Sequence, residues 1–151
     1  MNDEQFLQII DSTPLVSIDL IIENKNKEIL LGKRVNRPAQ GYWFVPGGRI
    51  RKNEKIADAF ERISLAELGV TLSLCNAQLS GAFDHIYDDN YLGTNNINTH
   101  YVVLAYTVNL ESDLLPVIDS QHSAIKWWTI HDLLSSANVH PNTKAYFSNK
   151  Y

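Results

Sequence analysis

The sequence predicts one α+β domain over residues 1–151, in which helices enclose a mixed β-sheet as an α/β/α sandwich. Three observations predict this architecture. Segments with strand periodicity lie on both sides of one long amphipathic helix, shorter helical segments lie near both chain ends, and no repeat, low-complexity segment or linker interrupts the pattern. A chain of this length can bury one sizeable core.

Composition and charge exclude several classes of protein. The apolar content of 44% and charged content of 20% are those of a globular domain. The net charge of −4 argues against general nucleic-acid binding. No apolar run approaches the roughly 20 residues of a membrane span, and the N-terminus lacks the regions of a signal peptide. The single cysteine, Cys75, cannot form an internal disulfide, so we expect a cytoplasmic protein. From the net charge and the lack of a spanning run, we expect neither nucleic-acid nor membrane partners.

The basic residues are concentrated in one third of the chain, where only Glu28 and Glu54 oppose them. A local basic surface on an acidic protein suits a small phosphorylated ligand better than a polymer. A solvated basic face is the alternative. The residues concerned are Lys25, Lys27, Lys33, Arg34, Arg37, Arg49, Arg51, Lys52 and Lys55.

The first elements are a helix and two strands. Residues 3–10 have the apolar spacing of a short helix. Residues 15–23 alternate as a strand, and residues 28–34 return as the second strand of a hairpin. Asp19 places a carboxylate in the middle of the first strand, where it is either a functional group or part of a half-exposed face.

A Gly-Gly turn leads into the central helix. Residues 42–45 form a short aromatic strand that ends at Pro46, because proline cannot donate a further ladder hydrogen bond. Gly47 and Gly48 then let the backbone approach a ligand closely, as loops that meet phosphates or metals often do.

The central helix carries a carboxylate in an unusual place. Ile56, Phe60, Ile63 and Glu67 share one stripe, and Gly69 is placed to end the helix. The first three suit a buried face. A carboxylate at a helix C-terminus is disfavoured by the macrodipole, so Glu67 is expected to have an Arg or a metal ion as its partner. The alternative is a frayed end with Glu67 in water.

The later elements complete the sheet and close the domain. The strand over 99–110 is continuous enough to be central, and Trp127 and Trp128 fall on opposite faces of their strand. In order, we expect an edge strand over 72–74, a strand over 77–87 carrying His85, a polar loop over 87–98, the strand over 99–110, a polar loop over 120–122, a strand over 124–130, and closing helical turns over 131–136 and 142–148.

The spacing around the central helix resembles the Nudix box, G-x5-E-x7-R-E-U-x-E-E-x-G-U, where U is apolar. The box glutamates of that family hold one to three divalent ions. Ile63, Ser64 and Ala66 depart from the pattern, because the box has Glu, an apolar residue and Glu there. One carboxylate of the cage, Glu67, therefore remains. The matching positions are Gly48, Glu54, Arg62, Glu67, Gly69 and Val70.

Nearly the whole chain is similar to one Nudix subfamily, the GDP-mannose mannosyl hydrolases, which also lack these glutamates. The resemblance rests on STPLVSID, LGKRVNRPAQGYWFVPGGR, FER with AELG, YDDN, THYVVL and a Gln-His pair. It implies a Nudix fold, a homodimer, and Mg2+-dependent hydrolysis of GDP-mannose, or of GDP-glucose, to GDP and free sugar. Water would attack the anomeric carbon with inversion.

The loss of carboxylates has a chemical reason in this reaction. One carboxylate suggests one ion per subunit, Mg2+ or alternatively Mn2+, that neutralises the departing diphosphate. GDP is a good leaving group, since its last ionisation has a pKa near about 6. Arginines can stabilise it, and a neutral His can direct a water near pH 7.

The resemblance also implies roles for individual residues. The Gly47 carbonyl, Glu67 and Gln121 would bind Mg2+, and His122 would be the base. Arg34, Arg49 and Tyr101 would hold the diphosphate, while Asp19 and His85 would contact the sugar or support its transition-state charge. Without the resemblance, His122 is an ordinary loop histidine and Tyr101 could belong to the core. Arg62 and Glu54 are expected to form a structural pair, and Asp88 and Asp89 have no defined task.

Two other functions remain open at this point. One is a conventional Nudix pyrophosphatase that gives GMP and a sugar 1-phosphate, and the lack of paired glutamates argues against it. The other is a non-catalytic sensor of a nucleotide sugar. The Gly-Gly turn, Glu67 and the pair Gln121-His122 argue against a sensor, which needs neither a base nor a metal.

Overall fold

The computed structural model describes residues 1–111 and 122–148 and confirms an α+β fold with a mixed sheet. None of the helices in these ranges is both long and apolar enough to cross a membrane. The elements are α1 (Asp3–Ser12), β1 (Leu15–Glu23), β2 (Ile29–Arg34), β3 (Trp43–Phe44), β4 (Gly47–Arg49), α2 (Ile56–Leu68), β5 (Gln78–Tyr87), β6 (Thr99–Asn109), β7 (His122–Trp128), α3 (Ile130–Ser135) and α4 (Pro141–Lys144).

The sheet is mixed because β1 and β6 run parallel while their other neighbours are antiparallel. Its strand order is β3-β2-β1-β6-β5, with β4 paired to β1 and β7 paired to β2. β6 lies between β1 and β5, which confirms the predicted central strand.

The predicted hairpin of β1 and β2 is formed only at its turn. The Asn24 side-chain oxygen accepts hydrogen bonds from the backbone N–H groups of Asn26 and Glu28, at 3.0 and 2.9 Å, and the two strands pair at Glu23 and Ile29. Beyond that point each strand has other partners, β4 and β6 for β1 and β3 and β7 for β2. The separated ends of β1 and β2 both contribute to the cavity described below.

Apolar clusters lie on both faces of the sheet, as a sandwich requires. One cluster contains the α2 residues Phe60 and Ile63 packed with β1 residues such as Ile18. The other contains Ile21 of β1 and Leu133 of α3. Trp127 packs against the first and Trp128 belongs to the second, which confirms their opposite faces.

Several local predictions were wrong. Ile56 is 41% exposed because it is the first residue of α2, whereas Phe60, Ile63 and Glu67 are buried. The expected strand over 72–74 is replaced by a 3₁₀-helical turn, Leu74–Asn76. Leu72 and Leu74 still pack against the core, so their apolar character reflects burial rather than sheet pairing. The last helix is α4, and residues 145–148 form turns instead of continuing it.

Candidate active site

One cavity of about 420 Å³ gathers most of the predicted site residues. It lies on the side of the sheet where Asp19 of β1, His85 of β5 and Tyr101 of β6 point, since alternate residues of a strand share a face. His85 is paired directly with Tyr101 across β5 and β6. The six predicted residues that line the cavity are Asp19, Arg34, Gly47, Arg49, His85 and Tyr101.

Gly47 can only be glycine because of its position against β1. It is paired with Asp19 in the β1–β4 ladder. A β-carbon at residue 47 would lie 2.6 Å from the Ile18 carbonyl oxygen and would collide with Asp19 Oδ1. The absence of a side chain therefore keeps the Asp19 carboxylate in place and leaves the Gly47 backbone at the cavity wall.

Two arginines give the cavity a positive wall held by aromatic rings. The Arg34 guanidinium carbon lies 5.3 Å from the centre of the Phe44 ring. The Arg49 guanidinium carbon lies 4.5 Å from the centre of the Phe6 ring, so α1 covers this side of the cavity. Fixed guanidinium groups of this kind are suited to phosphate oxygens.

Asp19 and His85 are joined by a third side chain, Tyr146. The Tyr146 hydroxyl donates to Asp19 Oδ2 at 2.5 Å and lies 3.3 Å from His85 Nε2. Burial raises the pKa of Asp19 to about 7, although the Tyr146 hydrogen bond and the Arg34 charge act in the other direction. Burial, reinforced by His140, lowers the pKa of His85 to about 4, so its imidazole is neutral at pH 7.

Tyr101 is part of the cavity wall rather than plain core. It is half-buried, and its ring centre lies 6.4 Å from that of Tyr87, at 80°. Burial raises the pKa of Tyr101 above its usual value and that of Tyr87 to about 12. Both phenols are therefore neutral hydrogen-bond donors at pH 7.

Glu67 is buried in α2, with 2% of its surface exposed, so the alternative of a frayed helix end is wrong. It does not line the cavity. Helix α2 does, however, pack along β4, whose residues line the cavity. Arg62 Nη2 donates to the Arg49 carbonyl at 2.8 Å, and Ile63 Cγ1 lies 3.0 Å from where a Gly48 β-carbon would be. Glu67 lies one further turn along α2 from Ile63, about 6 Å along the helix axis.

Arg62 and Glu54 form the expected structural pair. Arg62 Nε donates to Glu54 Oε2 at 2.7 Å, and Nη2 donates to Oε1 at 2.9 Å. Glu54 Oε1 also accepts from the Arg51 backbone N–H at 3.0 Å. The Arg62 hydrogen bonds lower the pKa of Glu54 to about 2. This bridge closes the loop over residues 50–55 onto α2.

His122 belongs to a strand instead of the predicted loop. It is the first residue of β7, and its backbone is paired with Arg34 of β2. Since Arg34 lines the cavity, this pairing brings the His122 backbone beside the predicted diphosphate site. Gln121 lies outside the described residues.

Comparison with known proteins identifies the family. Residues 13–149 match the NUDIX domain. The chain belongs to the Nudix hydrolase family. It is 42% identical over 125 residues to the low-salt glycan biosynthesis protein Agl8 of Haloferax volcanii, covering 82% of this chain and 76% of that protein.

Solved Nudix structures have the same fold. The MutT Nudix hydrolase of Burkholderia pseudomallei matches with a TM-score of 0.72 and 25% identity, over 93% of this chain and all of that one. The Nudix domain of Shewanella oneidensis NrtR, solved with ADP-ribose, has a TM-score of 0.67 and 19% identity, over 97% of each chain. The second likeness concerns the fold alone.

The donors for a Nudix metal ion are sparse but of the right chemistry. Among the described residues, no group of three or more His, Cys, Asp or Glu side chains is placed to hold an ion. The predicted set of a Gly47 carbonyl, the Glu67 carboxylate and a Gln121 amide consists of oxygens only, which Mg2+ prefers. With no side chain at Gly48, α2 packs directly on β4, and Gly47 and Gly48 both line the cavity. The residues present therefore fit one hard cation better than several.

Several residues in or next to the cavity were not singled out from the sequence. Tyr146 follows α4 and gave no signal, because its contact with Asp19 spans 127 positions. Phe6 had the spacing of a helix face only. Arg37 was noted only as one of the clustered basic residues, three positions after Arg34. Both Phe6 and Arg37 line the cavity.

The loop with Asp88 and Asp89 is ordered around a buried amide. Asn90, with no exposed surface, donates to the carbonyls of Thr94 and Ile97 at 2.7 and 2.8 Å and accepts from the Leu92 and Thr94 N–H groups. Asp88 and Asp89 line a second, more open cavity of about 500 Å³, which shares Arg37 and Tyr87 with the first.

Proposed function

We propose that this Nudix hydrolase cleaves GDP-mannose, with GDP-glucose as a second substrate, into GDP and free sugar by attack of water at the anomeric carbon with inversion. One observation supports it most. A single cavity combines Arg34 and Arg49 with Asp19, His85 and Tyr101, while the Nudix helix retains one carboxylate of its metal cage. Attack at phosphorus requires metal ions to hold both water and phosphate, whereas attack at carbon needs stabilisation of the leaving group.

The relative in Haloferax volcanii supports the substrate class. Its name assigns it to low-salt glycan biosynthesis. Activated sugars are the donors from which glycans are built, so a nucleotide sugar is a consistent substrate for a similar chain.

We assign each residue a role in binding or catalysis. Arg34 and Arg49 bind the diphosphate oxygens, and the neutral Tyr101 phenol donates a further hydrogen bond. The Asp19 carboxylate and neutral His85 face the sugar, where negative charge stabilises the positive character that develops at the anomeric carbon. His122 accepts the proton of the attacking water.

The bond changes are balanced by these groups. A water oxygen forms a bond to the anomeric carbon while the bond from that carbon to the diphosphate oxygen breaks. The electron pair leaves with GDP, whose added charge the arginines offset. When bound by Gly47, Glu67 and Gln121, Mg2+ supplies further charge neutralisation at the diphosphate.

Product identification tests the proposal. The protein is incubated with GDP-mannose and Mg2+, and phosphorus NMR distinguishes GDP from GMP plus mannose 1-phosphate. GDP is the expected product. GMP would indicate the conventional pyrophosphatase, and tight binding without any product would indicate the sensor.

Matched variants test the individual roles. His122→Ala is expected to lower kcat by roughly 100- to 10,000-fold, as loss of a general base does. His131→Ala, at an exposed position of α3, is the control and should leave kcat unchanged. Glu67→Gln is expected to weaken Mg2+ binding in calorimetry, a readout that does not depend on turnover. Full turnover in both His122→Ala and Glu67→Gln would contradict the proposed mechanism.

The assembly is a separate part of the proposal. We expect a homodimer with one Mg2+, replaceable by Mn2+, per subunit. Sedimentation equilibrium and the stoichiometry from calorimetry measure both quantities. A monomer that hydrolyses GDP-mannose at full rate would contradict the dimer and leave the chemistry intact.

A further inference from the structure

A tyrosine from the C-terminal segment connects two predicted sugar-side residues. Tyr146 lies just after α4, and its hydroxyl reaches Asp19 Oδ2 at 2.5 Å and His85 Nε2 at 3.3 Å. These three side chains come from β1, β5 and the segment after α4, 61 and 127 positions apart in the chain. Asp19 and His85 line the cavity, and Tyr146 is not among the residues lining it.

The direction of the hydrogen bonds follows from the donors available. A phenol has one proton, and Tyr146 gives it to Asp19. Toward His85, the Tyr146 oxygen can then only accept. His85 Nε2 must therefore carry the proton, which leaves Nδ1 as the free acceptor of a neutral imidazole. The resulting chain runs from His85 through Tyr146 to Asp19.

The ring of Tyr146 is held on several sides. Phe83 packs edge-on against it with ring centres 4.8 Å apart, and the His85 ring lies 5.7 Å away. The preceding helix α4 is capped by His140, whose Nδ1 accepts from the Asn142 backbone N–H at 3.1 Å. A fixed ring holds the hydroxyl at one point between Asp19 and His85.

We propose that Tyr146 is a positioning residue for the sugar-side half of the site. By occupying Asp19 Oδ2, it leaves Oδ1, beside Gly47 at the cavity wall, as the oxygen that meets the ligand. By accepting from His85, it sets the tautomer that the imidazole presents. The role in catalysis rests on the proposed function, whereas the hydrogen-bond chain does not.

Tyr146→Phe removes the hydroxyl and keeps the ring, so it is the first test. We expect kcat for GDP-mannose to fall by roughly 10- to 100-fold, as for other residues that orient a reacting group. Inhibition by GDP, which has no sugar, should stay within about twofold of the parent value. The matched control is Tyr106→Phe, a buried tyrosine packed on Phe60 on the α2 face. It should leave kcat unchanged.

A double-mutant cycle separates positioning from general packing. If Tyr146 acts partly through Asp19, Tyr146→Phe should lower kcat/KM by less in the Asp19→Ala background than in the parent, and what remains of the loss is the share that acts through His85. Equal losses in the two backgrounds, or a Tyr146→Phe protein with parental kcat, would overturn the inference while leaving the proposed function standing.

NMR spectroscopy tests the hydrogen bonds from His85 through Tyr146 to Asp19 without depending on turnover. Long-range 1H–15N correlations of His85 should show the proton on Nε2 in the parent and a changed Nε2 shift in Tyr146→Phe. If no nucleotide sugar is hydrolysed, the proposed function fails and this measurement still stands. A proton on His85 Nδ1 in the parent, or identical His85 signals in both proteins, would overturn the inference.

Discussion

His140 combines two structural contacts that depend on its neutral state. Its ring stacks on Phe44 with centres 4.8 Å apart, and its Nδ1 accepts the Asn142 N–H that caps α4. An imidazole that accepts at Nδ1 cannot be protonated there without losing the cap. Burial, followed by the charge of Arg34, lowers the pKa of His140 to about 4.

The low pKa of His140 predicts acid sensitivity. Because its folded pKa lies below the usual value of 6.5, its contribution to stability is fully present above pH 6.5 and is lost as the pH falls toward 4. Because His140 is only half-buried and solvent screens part of the effect, we expect it to account for about 1–2 kcal/mol of unfolding free energy in that window. His140→Asn should keep the cap and flatten the pH dependence. Urea unfolding at several pH values measures it, and equal slopes for both proteins would contradict the assignment.

Individual residues could be predicted from the sequence where a residue type was unexpected at its position in a helix or strand. Glu67 was recognised because a carboxylate on an apolar stripe needs a reason, and it is indeed buried. Tyr146 breaks no rule in its own segment. Its importance arises only when the fold brings it to Asp19 and His85, so no local pattern could have indicated it.

At the scale of elements, the loop before α2 is held to the helix by one ion pair. Glu54 accepts from Arg62 twice and from the Arg51 N–H once, and Arg62 in turn donates to the Arg49 carbonyl. The pair thereby links the loop over residues 50–55, the strand β4 and α2. This linkage fixes where the helix lies relative to the cavity.

Glu54→Gln tests that linkage. The folded pKa of Glu54, about 2, is depressed below 4.5, so its contribution is present above pH 4.5 and is lost as the pH falls toward 2. We expect the variant to lose about 1 kcal/mol of stability at pH 7, since the pair is partly exposed. The difference from the parent should shrink between pH 4.5 and 3 in denaturant titrations. A difference that stays constant with pH would show that charge is not its cause.

The close contact of α2 with β4 predicts that a larger side chain at residue 48 destabilises the protein. A β-carbon there would lie 3.0 Å from Ile63 Cγ1, so Gly48→Ala is expected to cost roughly 1–2 kcal/mol. Ile63→Ala removes Cγ1 and the other atoms beyond Cβ that a Gly48 β-carbon would meet, so the double variant should lose less stability than the sum of the two single losses. Thermal unfolding of both single variants and the double variant measures this coupling, and simple additivity would contradict it.

Helices and strands were predicted correctly where the apolar pattern was long enough to fit only one kind of element. α2 and β6 were predicted because their patterns run over many residues. Residues 72–74 were mistaken for a strand because a short apolar run looks the same whether it pairs or packs as Leu72 and Leu74 do here. The separation of β1 from β2 beyond Glu23 was also not predictable, since it is set by the partners that each strand finds elsewhere.

At the scale of the whole molecule, the cavity is assembled from distant parts of the chain. α1 contributes Phe6, and β1 and β2 contribute Asp19 and Arg34 from the parts of these strands that no longer pair with each other. The segment after α4 contributes Tyr146, which holds Asp19 from behind the cavity wall. The site thus depends on elements near both ends of the described chain. The family and fold could be recognised from the central motif, whereas the shape of the cavity required the complete topology.

The origin of the oxygen in the products tests the central claim most directly. The protein is incubated with GDP-mannose and Mg2+ in 18O-labelled water, and the products are separated and weighed by mass spectrometry. Attack at the anomeric carbon predicts labelled mannose and unlabelled GDP. Label in a phosphate group, with GMP and mannose 1-phosphate as products, would place the attack at phosphorus and contradict the mechanism.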